Sequence, residues 1–426
     1  MRPGWLVSCA ALLAYSSLAP AQTSAKLLPA PNCESPCCDP CACCCDCPCE
    51  PCPCPWDPGR AWLSGEYLLW WFKNSPLPVP LVTTTSNPNS ASPGALGSEG
   101  TSVLIGDRDI DTHLRQGGRF RAGLWLNDAR TIGVDGNYLF IASKTVSQSV
   151  AATGAPGSPI LAVPFFNADD QTETAFLRAI PGFVSGSALL SLTSRMQGAE
   201  LNGLVNLTQR DTLRLDLLCG FRFVELKERL TFATTALGLG PANPVAGNNG
   251  LVFDTLDKFN THNDFYGGQL GLRGEYRRGK WFANGTIQIA LGDMFEQADR
   301  HGDYLTNVLN NPAGGTPRNF AGFGAFVQHS NMGGNHRHEF AVVPEAGINV
   351  GYAVRNGLRV YVGYDFLYLS DVLRPGKQID QVINFSQTVD SIAAGNGFTP
   401  GSRPAPTLTS SDFWAQGINF GVEWRY

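Results

Sequence analysis

The stretch that decides the fold is residues 212–223, TLRLDLLCGFRF, in which apolar and polar side chains alternate with a period of two. One face carries Leu213, Leu215, Leu217, Cys219, Phe221 and Phe223. The opposite face carries the charged residues Arg214, Asp216 and Arg222. This alternation is typical of a β-strand with one face in an apolar medium and the other facing water or a polar interior. The run is also as long as a tilted strand that crosses a bilayer.

The same alternation recurs along the chain. Two further clear runs lie at 358–368 and 414–426, and weaker ones begin near Ala61, Gly118, Thr131, Arg195, Asn263, Lys280 and Glu339. Each run is expected to form a strand of roughly 10 to 14 residues. The connectors alternate in length. Four are tight, at Asn127–Arg130, Gln209–Asp211, Arg277–Lys280 and Arg355–Gly357, and five are long, near 74–116, 143–193, 228–260, 296–337 and 371–411.

Short and long connectors in alternation predict an all-β fold, an up-and-down antiparallel transmembrane barrel of about ten strands. Its short turns would face the periplasm and its long loops the exterior. A soluble β-sandwich is the alternative, but it gives no reason for aromatic residues to cluster at strand ends. Such clusters are typical of membrane interfaces. The candidates for this girdle are Trp70, Trp71, Phe72, Tyr138, Phe140, Tyr276, Trp281, Phe282, Tyr368, Phe413, Trp414, Trp424 and Tyr426.

The first residues have the features of a secretory signal peptide. Arg2 supplies a positive charge, Trp5–Leu18 is apolar, and Ala19-Pro20-Ala21 fits a small-x-small cleavage site. We therefore expect a signal peptide at 1–21, a periplasmic tether rich in cysteine and proline at 22–59, and an outer-membrane barrel at 60–426.

The tether carries eleven cysteines, and its prolines exclude a regular helix or strand. Disulfides are the first interpretation because an exported protein meets an oxidising compartment, and the odd number predicts a bond to a second chain. A thiolate metal site of metallothionein type and a plain disordered spacer are the alternatives. The cysteines are Cys33, Cys37, Cys38, Cys41, Cys43, Cys44, Cys45, Cys47, Cys49, Cys52 and Cys54.

The polar faces of the predicted strands give a set of lumen-lining candidates in which basic and acidic residues nearly balance. A balance favours ion pairs across the lumen over a ring of one sign. A barrel of about ten strands is also small enough for side chains to fill it, so we expect a narrow or loop-plugged lumen. The predicted lumen-lining residues are Glu66, Arg121, Asp135, Glu200, Arg214, Asp216, Arg222, Arg273, Glu275, Glu345, Arg359, Asp365, Glu423 and Arg425, with Arg119 as a further basic candidate.

Little in the sequence points to catalysis. No nucleophile-elbow, zinc-protease or P-loop pattern occurs, and His336 and His338 could supply two metal ligands on one strand face without an evident third. We therefore expect no enzymatic activity, no cofactor and no metal. The net charge of −5 also gives no indication of nucleic-acid binding.

Several stretches resemble one bacterial family, the β-barrel porin group found mainly in planctomycetes, described as outer-membrane barrels of unknown function. They include Ala61–Trp71 (AWLSGEYLLWW), Asp216–Val224 (DLLCGFRFV), Asn263–Gly271 (NDFYGGQLG) and Val362–Ser370 (VGYDFLYLS), the last followed by Arg374-Pro375-Gly376. The resemblance covers roughly 60–426. It implies a barrel in the bacterial outer membrane and supplies no catalytic residues.

The sequence thus predicts a porin-like channel with a narrow or plugged lumen, and a structural envelope barrel without transport activity is the alternative. Arg374-Pro375-Gly376 would form a turn or fold the last long loop inward. Pro344 cannot donate to a sheet, so we expect a bulge there or a strand that starts after it. The expected partners are outer-membrane lipid, a disulfide-linked envelope protein, and the barrel-assembly machinery, which would bind the final strand ending in Trp424-Arg425-Tyr426.

Overall fold

Alternating side chains become strands throughout the computed structural model, which describes residues 59–239, 250–307, 318–389, 391 and 398–426. The predicted signal peptide, nearly all of the predicted tether and all eleven tether cysteines lie outside the described residues. The described strands are β1 (Ala61–Phe72), β2 (Pro80–Thr85), β3 (Thr101–Gly106), β4 (Leu114–Trp125), β5 (Ile132–Ala152), β6 (Leu161–Asn167), β7 (Thr172–Ala179), β8 (Val184–Gln209), β9 (Leu213–Gly238), β10 (Phe253–Arg278), β11 (Trp281–Thr306), β12 (Arg318–Ala321), β13 (Gly333–Arg355), β14 (Leu358–Leu373), β15 (Val382–Ile383) and β16 (Ser410–Arg425). Two short 3₁₀ turns cover Pro375–Gln378 and Phe385–Gln387.

Ten of these strands close into a ring in the order β1-β4-β5-β8-β9-β10-β11-β13-β14-β16, with every neighbouring pair antiparallel. The ring closes where β1 meets β16, from Trp62↔Arg425 to Phe72↔Ala415. The predicted ten-stranded antiparallel barrel is therefore confirmed.

The predicted strand lengths are wrong for most of the ring, since six of its ten strands have more than 20 residues. Strands β8, β9, β10 and β11 have 26 residues each and continue through much of 143–193, 228–260 and 296–337, which were predicted to be loops. The physical reason lies in the side chains. On β9 the outward face changes from apolar to polar after Phe223, and the inward face becomes apolar from Val224. The polarity of the alternation inverts there, but the strand continues to Gly238.

The outward apolar face defines an apolar band around the barrel, next to the short turns. It covers Leu213–Phe223 of β9, Tyr266–Tyr276 of β10 and Trp281–Leu291 of β11. Roughly 11 residues per strand, at about 3.3 Å each and a tilt of about 40°, span roughly 28 Å, close to the apolar height of membrane barrels.

Most of the predicted aromatic girdle is exposed on this band, including Trp71, Tyr276, Trp281 and Trp424. Four candidates are exceptions, because they lie on inward faces and are buried: Trp70 and Phe72 of β1, Phe282 of β11 and Phe413 of β16.

A second sheet fills the barrel beyond the apolar band. Strands β3, β2, β6 and β15 lie side by side, and β7 pairs with β6. We call these five strands the loop sheet, because they come from the first, second and last long connectors. Leu81, Val163 and Phe165 of the loop sheet belong to one buried cluster with Leu190 of β8 and Phe232 of β9.

The ladder between β13 and β14 ends early. It stops at Glu345↔Leu367, although β13 continues to Gly333. The residue after the last pair is Pro344, which has no N–H for a further bond. The predicted bulge or late strand start at Pro344 is wrong, since β13 runs through it and stays paired with β11.

The helical content of the described residues is slight. No helix among them is long and apolar enough to span a membrane.

Candidate functional site

The lumen of the ring holds all fourteen predicted lumen-lining residues. Their side chains lie on the inward faces of nine of the ten strands, and each is buried or partly buried. All of them but Arg121 belong to three groups, one near the middle of the apolar band and two nearer the short turns.

The central group is built around two arginines and bridges the lumen. Arg119 of β4 lies 3.0 Å from Asp365 of β14, 3.3 Å from Glu66 of β1 and 3.4 Å from Glu345 of β13. Arg222 of β9 lies 2.5 Å from both Glu345 and Glu200. We call these six residues the lumen network, and Glu345 is its bridge, because one carboxylate binds both guanidinium groups.

Neutral side chains complete the lumen network. Gln288 donates to Glu200 and Glu345, Asn419 donates to Asp365 at 2.9 Å, and the Tyr361 hydroxyl donates to Glu66 at 2.8 Å. A buried charge is tolerated when opposite charges and hydrogen bonds surround it, and removing one partner is costly. The network therefore holds opposite walls together and fills the lumen with fixed side chains.

A second group lies toward the short turns. Glu275 binds Arg359 at 2.7 Å and Arg425 at 2.6 Å, and Arg425 also lies 2.5 Å from Glu423. Since these residues come from β10, β14 and β16, the group ties the final strand to the far wall.

The third group, also near the turns, pairs Arg273 with Asp135 at 2.6 Å and Arg214 with Asp216 at 3.0 Å. The Arg214 guanidinium lies 4.0 Å from the centre of a Trp125 ring. A polar cavity of about 60 Å³ remains between the second and third groups, bordered in part by Arg121. A cavity of this size holds a few water molecules.

Beyond the lumen network, an apolar layer closes the barrel. It consists of side chains from nine of the ten ring strands, each at most 6 % exposed. We call this layer the septum. Its members are Leu68, Trp70, Phe72, Leu139, Ile141, Met196, Val224, Leu226, Phe265, Ala290, Met294, Ala341, Val343, Leu367, Leu369, Val372, Phe413 and Ala415. Apolar side chains packed without exposure exclude water, so the septum separates the polar lumen from the loop sheet.

The septum is capped by the end of β14, which bends inward. Asn263 of β10 accepts from Leu373 N at 2.6 Å and donates to Leu373 O at 3.0 Å. The next residue, Arg374, is fully buried and binds Glu228 of β9 at 2.5 Å. The inward fold expected for Arg374-Pro375-Gly376 is therefore present. Its partner Glu228 was missed, because the sequence placed 228–260 in a loop.

Carboxyl groups collect at the edge of the septum. The guanidinium of Arg337 binds Glu296 at 2.6 Å, Glu339 at 3.5 Å and Asp371 at 3.9 Å. Burial, together with neighbouring Asp371, raises the pKa of Glu296 to about 7, although Arg337 acts to lower it. Glu296 lies beyond the apolar band, on the inward face of β11.

The two histidines considered as metal ligands lie on the outward face of β13. His338 Nδ1 is 2.8 Å from Asp293, and both His336 and His338 pack against Phe295. Within the described ranges, no group of three histidine, cysteine, aspartate or glutamate side chains could hold a metal ion.

A closed ring of ten antiparallel strands, apolar outside and ion-paired inside, defines a transmembrane β-barrel of the outer-membrane type. The chain belongs to the family described as Putative beta barrel porin-7, which matches residues 62–426. The resemblance drawn from the sequence motifs is therefore confirmed.

Solved outer-membrane proteins resemble the chain weakly. The outer-membrane protease OmpT of Escherichia coli has 10 % identity and a TM-score of 0.38, covering 87 % of this chain and 97 % of its own. A FadL homologue of Pseudomonas aeruginosa has 7 % identity and a TM-score of 0.21, covering 86 % of this chain and 90 % of its own. The toluene transporter TodX of Pseudomonas putida has 7 % identity and a TM-score of 0.19, covering 87 % and 89 %. Similarity at this level carries no functional information, and comparison with curated proteins finds no match.

Proposed function

We propose that this chain is a closed outer-membrane barrel with a structural role in the envelope, rather than a passive diffusion channel. The observation that carries the proposal is the septum. Nine strands contribute to it, and side chains such as Trp70, Phe265 and Phe413 in it have no exposed surface. Ions and polar solutes do not cross a packed apolar layer, because their desolvation is too costly.

The charged residues below the septum fit the same role. In a water-filled pore they would face the transported solute, but here Arg119 and Arg222 are held by several carboxylates each. Groups engaged in this way stabilise the barrel and are poorly placed to act as catalysts, so the proposal includes no enzymatic activity.

Conductance in planar lipid bilayers tests the proposal. The full-length protein, purified and inserted at single-molecule density, should give no stepwise conductance at moderate voltage. Steady ion conductance by the unmodified protein would overturn the closed-barrel function. An open trimeric porin, measured in the same bilayers, serves as the positive control for insertion and detection.

A porin-like channel with a gate is the second candidate. The 60 Å³ cavity and the ion pairs on the turn side favour it, because they leave a polar space in the lumen between the short turns and the lumen network. Opening would require the inward-bent end of β14 to move. Conductance that appears only under a defined condition, such as a change of pH, would support this candidate over the first.

The partners follow from the surface and from the sequence. Lipid would cover the apolar band, where Leu63, Ile287 and Phe340 are more than 60 % exposed. The assembly machinery would recognise β16, whose outward residues Phe420, Val422 and Trp424 end at the exposed Tyr426. The cysteine tether would face the periplasm and link the barrel to an envelope protein. Migration of the mature protein as a monomer on non-reducing gels would exclude that link.

A further inference from the structure

The barrel wall has a seam between β13 and β14. Below the seam the two strands pair continuously, from Leu358 up to Leu367. Above it, β14 stays paired with β16 to Leu373↔Ser410 but leaves β13, with an irregular register between Leu369 and Val372. The end of β14 passes behind β13 and β11 and reaches Asn263 of β10. The edge of β13 from Gly333 to Pro344 therefore has no ladder on that side.

Only a few contacts join the two sides of the seam. Val342 N donates to the Ser370 hydroxyl at 2.9 Å. Arg337 on β13 reaches across to Asp371 on β14, 3.9 Å away, while it also binds Glu296 on β11. A guanidinium shared by carboxylates from three strands is the only charged bridge among the described contacts of this seam.

Each of two carboxylates at this bridge has one buried oxygen atom without a hydrogen-bond partner. Glu296 has no exposed surface, and its Oε1 atom is buried without a hydrogen-bond partner. The Oδ1 atom of Asp371 is buried and equally without a partner. The two carboxyl groups meet at the Arg337 guanidinium, whose Nε lies 2.6 Å from Glu296 and whose Nη2 lies 3.9 Å from Asp371 Oδ1. One proton placed between two carboxylate oxygens would satisfy both atoms, whereas two ionised carboxylates in contact repel each other.

We propose that Glu296 and Asp371 form a proton-operated latch, which holds the end of β14 against the wall of β11 and β13 while the two carboxyl groups share a proton and weakens when Glu296 ionises. The latch does not depend on the proposed function, since a barrel with or without conductance needs its seam closed.

The surrounding charges set the direction of the effect. From β13, Arg337 and Glu339 face Glu296; from β14, Asp371 faces it; from β10, its register partner is the neutral Asn263. Arg300, farther along β11, is occupied by Asn335 and by the Thr407 carbonyl. One cation therefore faces three acids, and ionisation of Glu296 adds an uncompensated charge.

The sign follows from this imbalance. Burial raises the pKa of Glu296 to about 7, above its ordinary value of 4.5. The closed seam therefore binds a proton that an open, hydrated seam would release between these two values. Closure is fully favoured below about pH 4.5 and weakens as the pH rises through about 7.

Hydrogen–deuterium exchange of the full-length protein in detergent micelles tests the latch. Exchange times are scaled for the intrinsic pH dependence of amide exchange. We expect the protection of residues 338–344 and 369–373 to fall by roughly 10- to 100-fold between pH 5 and pH 8.5, since each pKa unit is worth a factor of 10. The peptide 213–223, in the wall of β9, should show no such change.

Two variants make the test specific. Glu296→Gln replaces the carboxyl group with a neutral group of the same shape, so in this variant the protection of residues 338–344 and 369–373 should not vary with pH. Glu339 contacts the same arginine, but Glu339→Gln leaves Glu296 and Asp371 intact, so the pH dependence should persist. Asp371→Asn removes a neighbouring negative charge, and the transition should move to lower pH.

Two results would overturn the latch. One is pH-independent protection of the unmodified protein across this range. The other is a Glu296→Gln protein that retains the pH dependence of the unmodified chain. If Glu296→Gln does not fold, infrared titration of the unmodified protein and of Asp371→Asn decides. A protonated-carboxyl band that disappears near pH 7, and at lower pH in the variant, supports the latch, and its absence refutes it. Neither readout measures conductance, so failure of the latch and failure of the closed-barrel function are distinguishable.

Discussion

The two halves of β9 show how one strand serves two environments. Between Leu213 and Phe223 its outward side chains are apolar, and its inward side chains include Arg214, Asp216 and Arg222. Beyond Val224 the arrangement is inverted. Lys227 and Arg229 face outward, while Leu230 and Phe232 are buried against the loop sheet.

The inversion follows from the medium outside the strand, which is lipid in one half and water in the other. The apolar band meets lipid, so the lumen there can be polar only if its charges are paired. The upper half meets water outside, so apolar side chains can gather inside it, as Leu230, Phe232 and Phe259 do. On β10 and β11 the outward face also changes from apolar to polar, near Tyr266 and Leu291, although buried polar residues such as Asn263 and Glu296 lie on their inward faces. The same ring of strands therefore has a lipid-facing half and a water-facing half, without a break in the sheet between them.

The largest expected effect comes from the lumen network. Arg119→Met removes the cation that faces Glu66, Glu345 and Asp365, so these three carboxyl groups stay buried without that guanidinium. We expect a loss of about 3–5 kcal/mol in the free energy of unfolding. Urea unfolding in micelles, followed by heat-modifiable gel migration, measures it.

The control for this prediction is Arg60→Met. Arg60 pairs with Asp128 on the exposed turn side, where both side chains are more than half exposed. Its loss should cost less than about 1 kcal/mol. Equal effects at the two sites would mean that the lumen network does not hold the walls together.

The septum should be nearly as sensitive. Phe265→Ala empties a fully buried position between the lumen network and the loop sheet, and we expect a cost of about 3 kcal/mol. Phe221→Ala is the matched control, since Phe221 faces lipid on the adjacent strand and leaves no cavity behind. The same urea titration compares them, and a larger loss for Phe221 would contradict a packed septum.

The sequence predicted the membrane half of the molecule better than the upper half. A period-two pattern identifies a strand only while the same face stays apolar. On β9 the outward face stays apolar from Leu213 to Phe223. After Val224 the polarity inverts, so the strand extension was interpreted as a loop. The inward positions of Arg119 and Glu345 followed from strand parity alone. Their pairing could not be predicted, because it joins β4 to β13 across the lumen.

The contacts that the long connectors make could not be predicted from the sequence either. Arg374 was predicted to form a turn or to fold the last long loop inward. Its ion pair with Glu228 could not be predicted, because the two residues are far apart in sequence. Asp371 and Glu296 are separated in the same way. Their significance depends on a seam that only the register of β13 and β14 reveals.

Lysine placed on one face of β9 tests the inversion directly. Leu217 lies in the middle of the apolar band, so Leu217→Lys should cost about 2–4 kcal/mol. Thr231 lies on the same face beyond the band, so Thr231→Lys should change stability by about 0.5 kcal/mol or less. Stability is measured by reversible unfolding in lipid vesicles. Similar costs at both positions would show that lipid covers the whole strand.

The smallest expected effect is local to the upper half. Asp257 of β10 is buried and accepts hydrogen bonds from Ala325 N, Phe326 N and Val327 N, at 2.9, 3.0 and 2.7 Å. Burial raises the pKa of Asp257 to about 6, so the carboxylate is ionised at pH 7.5 and can accept all three.

Asp257→Ala leaves these donors unpaired, and we expect residues 323–332 to lose about 1–2 kcal/mol of protection in hydrogen exchange at pH 7.5. Asp257→Asn keeps one acceptor oxygen and should lose less. The lumen network lies on the other side of the septum, so exchange of residues 213–223 should be unchanged in both variants. A loss of protection in both halves would show that the septum transmits disorder, and that the barrel unfolds as one unit despite its two environments.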